Sequence, residues 1–145
     1  MAAPSRTSAA PGTGTTAPRS TLFSAVIGLA ALAVLLQGVW AGLFLREGGY
    51  RDSWVEVHAR GGEVAIALAF VATVIAVVRL RARRELVIGS AALTVLLLLE
   101  AFLGGKVSDD HSLGAQVVHV PLALALMGLA VWLPTRATRR IGARG

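Results

Sequence analysis

Apolar residues in this chain come in four long runs, each broken from the next by a short polar stretch. From Thr21 to Leu45, Val55 to Leu80, Glu85 to Gly104 and Leu113 to Leu133 the sequence is dominated by Ala, Val, Leu and Ile. A period of 3.6 or 2 would mark a half-buried soluble helix or strand, whereas runs apolar on every side mark helices surrounded by apolar material. Each run holds about 20 residues, enough to cross a hydrocarbon layer of about 30 Å at about 1.5 Å per residue. The pattern predicts an all-α integral membrane protein: a four-helix up-down-up-down bundle with helices at about 21–45, 55–80, 85–104 and 113–133. Residues 1–20, rich in Ala, Pro, Ser, Thr and Gly, read as a disordered N-terminal tail. The transmembrane domain takes 21–134, and 135–145 is a basic tail. The first run exceeds the length of a signal-peptide core and is read as a membrane helix.

Composition sharpens this picture. Of 145 residues 55% are hydrophobic and 15% charged, where a soluble domain carries about a quarter charged residues. There is no cysteine, which removes disulfides, thiolate metal sites and cysteine nucleophiles. The net charge of +6 is a topology signal. Arg6, Arg19, Arg79, Arg81, Arg83, Arg84, Arg136, Arg139, Arg140 and Arg144 fall on one side of the predicted bundle with only Glu85 opposing them. Arg46, Arg51, Arg60 and Lys106 share the other side with most of the acids. Basic short loops mark the cytoplasmic face, so both termini are expected in the cytoplasm, in the plasma membrane of a cell, with anionic lipid rather than nucleic acid as the charged partner.

Within the spans the polar residues are few. Gln37 is the one polar side chain deep in the first run, and Gly38 and Gly42 form a G-x-x-x-G that predicts close approach by another helix. Trp40, Tyr50 and Trp54 suit one aromatic belt and Trp132 the other. Glu56, Arg60 and Glu63 fall on one face at i,i+4 and i,i+3, the spacing of a salt-bridged ladder. His58 lies on the opposite face. Glu100 is the only ionisable residue of the third run away from its arginine-rich end, and His119 sits about one turn into the fourth run, before Pro121. Asp109, Asp110 and His111 read as a solvated loop.

The two halves echo one another. LLQGVWAG at 35–42 aligns with LLEAFLGG at 98–105, pairing Gln37 with Glu100. His58 stands 21 positions after Gln37 and His119 stands 19 after Glu100. Two like-oriented hairpins make the second and fourth helices diagonal in the bundle, with axes roughly 14 Å apart when neighbours lie 8–10 Å apart. That span suits two imidazoles with a metal between them, each metal–nitrogen bond being about 2 Å long. Zinc or copper asks for further N, S or O ligands, and axial histidines commonly hold haem iron. The expected site is therefore haem b with His58 and His119 as iron ligands. Gly62 and Ala123, four residues on from each histidine, are the small residues against the cofactor, and Glu100 and Gln37 are supporting polar groups. Two uncoupled interfacial histidines are the alternative.

The segment Leu98–Leu133, LLEAFLGGKVSDDHSLGAQVVHVPLALALMGLAVWL, resembles a hairpin of the haem A synthase family, in which a polar residue and an L-G step precede a loop and then a histidine before an Ala/Leu-rich run. Members have eight helices in two four-helix halves, each with a histidine pair able to ligate haem. This chain is similar to one half, over about residues 30–133, and also looks like a small actinobacterial family of four-helix membrane proteins. The resemblance implies haem ligation by His58 and His119. It does not carry the family's catalytic glutamate: that residue stands three before the first histidine, where this chain has Val55, with Glu56 one place later and Ala59 in place of the following arginine. The reading that follows is a haem-binding protein for electron transfer or haem handling, leaning away from an enzyme, with a homodimer or a respiratory-chain protein as partner. The alternatives are haem oxidation by a dimer that restores eight helices, and a cofactor-free small transporter or structural subunit in which Glu63 or Glu100 carries the proton.

Overall fold

The computed structural model describes residues 21–44 and 52–138. It contains four helices and, among the described residues, no strand: α1 (Thr21–Phe44), α2 (Asp52–Arg79), α3 (Arg84–Asp110) and α4 (Leu113–Thr138). Neighbours pack in a ring, α1 on α2, α2 on α3, α3 on α4 and α4 back on α1. The chain therefore runs up, down, up and down, with α2 and α4 on one diagonal. All four helices are long and apolar enough to cross a membrane, which makes this a multi-pass membrane protein. The expected N-terminal tail and the basic residues 139–145 lie outside the described residues, as do Arg46, Tyr50 and Arg51.

The bundle is built inside out relative to a soluble one. Large apolar side chains point outward, with Ile88 67% and Leu124 73% exposed, as expected where lipid is the solvent. The interior is lined with small residues. On α2 the buried positions are Gly61, Ala65, Ala69, Ala72 and Ala76, one face at helical spacing. Lipid tails are as apolar as leucine, so helices gain by fitting backbones closely rather than by hiding hydrophobic surface. Phe23, Ile27, Leu86, Leu93, Leu126 and Leu133 fill the gaps those small residues leave. Among the described residues the expected G-x-x-x-G contact is absent. Gly38 and Gly42 are exposed, and a Cβ on either would meet nothing within 4 Å. Close approach falls instead at Gly61, against Trp40 and Gln37 of α1, and at Gly89, where a Cβ would come within 2.8 Å of Leu133 and 3.2 Å of Trp132.

Polar groups in the interior close on their own helix first. Ser90 Oγ donates to the Leu86 carbonyl at 2.7 Å. Thr73 and Thr94 bond their i−4 carbonyls at 2.9 and 3.0 Å and also meet each other across α2 and α3 at 3.1 Å. Two hydroxyls carry only two hydrogens for these three contacts, so one of them shares its proton between a carbonyl and the other hydroxyl.

Two ends differ from the sequence expectation. α3 continues to Asp110 rather than stopping at Gly104, because Lys106 and Asp110 pair at i,i+4 and 2.7 Å on a further helical turn. His111 then takes the left-handed conformation, φ 50°, and Ser112 N–H returns to the Lys106 carbonyl at 3.2 Å. Ser112 Oγ in turn accepts from Ala115 N–H at 3.3 Å, capping α4. The acidic-histidine triplet read as a loop is thus the last turn of one helix and its stop. At the opposite end α4 runs through Pro134 to Thr138, beyond the expected Leu133. Arg83 closes that end by donating to the Arg136 and Ala137 carbonyls at 2.6 and 3.2 Å.

Candidate functional site

Packing is uneven along the bundle axis. The buried core reaches Val34 on α1, Gly61 on α2, Leu97 on α3 and Leu126 on α4, all toward the end carrying Arg79, Arg81, Arg83, Arg84 and Arg136. Beyond those levels none of the described residues is fully buried. The other half of the bundle is where Gln37, His58, Glu100 and His119 stand. His58 lies 21 residues before the end of α2, a rise of roughly 31 Å from the arginine end. Gln37, His58, Glu100 and His119 therefore gather where helix–helix packing is loosest.

Each histidine meets the polar residue of its own hairpin. His58, half-buried on α2, places Nδ1 3.2 Å from the backbone carbonyl of Gln37 on α1. A carbonyl only accepts, so Nδ1 carries the proton and the ring's lone pair is on Nε2. Gly61, three residues after His58, makes this approach possible, since a Cβ there would lie 2.5 Å from Gln37 Nε2 and overlap the Trp40 ring. The Gln37 side chain bonds its own helix. Its Nε2 turns to the Ala33 carbonyl at 3.5 Å, and its Oε1 lies 3.9 Å from where a Cβ on Gly62 would sit.

On the second hairpin, His119 Nδ1 lies 3.2 Å from Glu100 Oε1, with the two side chains 21% and 12% exposed. The contact is close but poorly aligned. Both Glu100 oxygens and His119 Nδ1 are buried and lack a well-directed hydrogen bond among the described residues. Gly104, one turn after Glu100, gives the imidazole its place: a Cβ there would stand 3.4 Å from His119 Cε1. The two hairpins thus share one feature, an imidazole whose Nδ1 faces an oxygen on the preceding helix. His58, Glu100 and His119 are also close enough to one another to interact electrostatically across the bundle.

The remaining expected site residues are less central. Gly62 is half-buried beside Gln37, and Ala123 is on an exposed face of α4. Glu56, Arg60 and Glu63 form the expected ladder, with Arg60 3.2 Å from each carboxylate and all three side chains 64–68% exposed; they face away from the histidines. Among the described residues no group of three or more His, Asp or Glu is arranged to hold a metal ion, so His58, His119 and Glu100 do not make a three-ligand site. Nδ1 of each imidazole faces an oxygen, and such a partner fixes which ring nitrogen carries the proton. Sequence reasoning missed Trp40 and Gly61, which position α1 against His58; the glycine pair following a charged turn was the available signal.

No protein-family model, curated protein or solved structure matches this chain.

Proposed function

We propose that this protein binds haem b between α2 and α4, with His58 and His119 as its two iron ligands, and serves in electron transfer or haem handling at the plasma membrane with its arginine-rich end in the cytoplasm. The observation that carries the reading is the pairing of one imidazole from each diagonal helix at the loosely packed end, each with Nδ1 facing an oxygen of its own hairpin, Gln37 O and Glu100 Oε1. Bound haem supplies a one-electron redox centre. The chain's part is to present Nε2 of the two imidazoles and to orient the rings against the Gln37 carbonyl and Glu100. Similarity of Leu98–Leu133 to the haem A synthase hairpin supports the same ligand assignment.

The test is purification in mild detergent and a visible spectrum of the oxidised and reduced protein. A Soret band with sharp reduced α and β bands is expected, and His58→Ala and His119→Ala are each expected to lose the low-spin spectrum. A protein purified without haem from haem-replete cells, or a spectrum unmoved by both substitutions, refutes the assignment.

Glu100 favours a second reading. A carboxylate with both oxygens buried and no well-directed hydrogen bond is the form a proton carrier takes in a small transporter, and intramembrane ionisable residues are functional by default. Proton-coupled flux abolished by Glu100→Gln in a haem-free protein would establish it. Glu63 is a poorer proton site, being exposed and paired with Arg60.

A further inference from the structure

The arginine end holds a feature that owes nothing to the histidines. Where α2 ends and α3 begins, a groove of about 280 Å³ is lined by Val77, Arg81, Arg84, Val87 and Ile88. Its wall is apolar and outward-facing, with Val77 46% and Ile88 67% exposed, and its mouth carries two guanidinium groups. Arg81 and Arg84 are exposed and have no carboxylate partner among the described residues. The nearby acid, Glu85, is engaged by Arg83 at 3.1 Å. Arg83 itself is held by the α4 carbonyls. α3 also opens without a side-chain cap, Arg83 standing at its N-cap with no such bond, so the positive dipole end of the helix lies beside Arg84.

We propose that this groove binds one anionic phospholipid, its phosphate between Arg81 and Arg84 at the start of α3 and one acyl chain along Val77, Val87 and Ile88. The occupant must be amphiphilic and negative. A free phosphate gains nothing from the valine and isoleucine wall, and a zwitterionic lipid brings its own cation to the phosphate. The location agrees: Val77 is the last full turn of an apolar span, and Arg81 and Arg84 stand just past it, at the level of lipid headgroups. Guanidinium is the group suited to bidentate phosphate contact. The proposal is independent of the haem reading and needs only that the helices span a bilayer.

Native mass spectrometry of the delipidated full chain, titrated with phosphatidylglycerol or phosphatidylcholine of the same acyl chains, tests it. One phosphatidylglycerol per chain is expected to be retained, and binding is expected to weaken by about 30-fold in the double variant Arg81→Gln/Arg84→Gln. Arg79→Gln, outside the groove, is expected to bind as the parent does, and Arg81→Lys/Arg84→Lys to retain part of the affinity. Unfolding temperature in the same detergent checks that each variant is folded. Equal binding of phosphatidylcholine, unchanged phosphatidylglycerol binding in the Gln variant, or displacement of the lipid by inorganic phosphate alone would each overturn the proposal, the last by making the groove a free-anion site.

Discussion

Gly61 and Gly62 are adjacent on α2, and the structure assigns them opposite sensitivities. An alanine at 61 places a methyl inside the Trp40 ring, 2.8 Å from its Cε3 and 2.5 Å from Gln37 Nε2. The indole is rigid and half-buried, so α1 must move away or Trp40 must leave its rotamer, and overpacking of this kind costs about 1–3 kcal/mol. Moving α1 also breaks the His58–Gln37 contact at 3.2 Å, a further loss of about 1 kcal/mol. The better helix propensity of alanine returns about 1 kcal/mol, leaving Gly61→Ala destabilised by about 1–3 kcal/mol. At Gly62 the nearest atom is 3.9 Å away, an ordinary contact, so Gly62→Ala keeps the propensity gain and is neutral or stabilised by up to about 1 kcal/mol. Reversible unfolding in mixed micelles, followed by Trp40 fluorescence in a Trp54→Phe/Trp132→Phe background, measures both. Substitutions that move stability in the same direction by the same amount would show that α1 does not approach α2 at Gly61, and the His58 geometry would fall with it.

Arg83→Gln is expected to lose about 1–3 kcal/mol, since it forfeits charge-assisted bonds to the Arg136 and Ala137 carbonyls from a side chain only 15% exposed. Arg83→Lys should recover little, because one ammonium does not span both carbonyls; equal stability of the Lys variant and the parent would argue against the cap. A double-mutant cycle with Thr73→Val and Thr94→Val is expected to give a coupling of about 0.6 kcal/mol, small because each hydroxyl also bonds its own helix; a coupling above about 1.7 kcal/mol would exceed what such pairs provide. On the haem reading, Glu100→Gln keeps the haem and raises the midpoint potential in redox titration, because a negative charge 3.2 Å from His119 Nδ1 is removed. Loss of haem on that substitution would mean that Glu100 holds the fold of the site and does not merely tune it.

Four helices, their order and their membrane character were legible in the sequence because each depends on local composition: an apolar run of sufficient length has one stable form where water is absent. The Glu56–Arg60–Glu63 ladder was legible for the same reason, its partners lying within one helix at fixed spacing. Helix ends were misplaced where polarity was taken for a loop, since Lys106–Asp110 and the left-handed His111 are decided by a single turn of geometry. Which glycines matter was not legible at all. Gly38 and Gly42 carry the motif yet a Cβ on either would meet none of the described residues within 4 Å, while Gly61 and Gly89 carry the close contacts, because rotation of a helix about its axis is fixed only by the shapes of its neighbours. The proximity of His58, Glu100 and His119 likewise belongs to the tertiary structure. Sequence spacing could set each histidine near one end of its helix, but the packing of α2 and α4 on α1 and α3 determined that both rings turn inward, and that Nδ1 of one faces a backbone carbonyl and Nδ1 of the other a carboxylate.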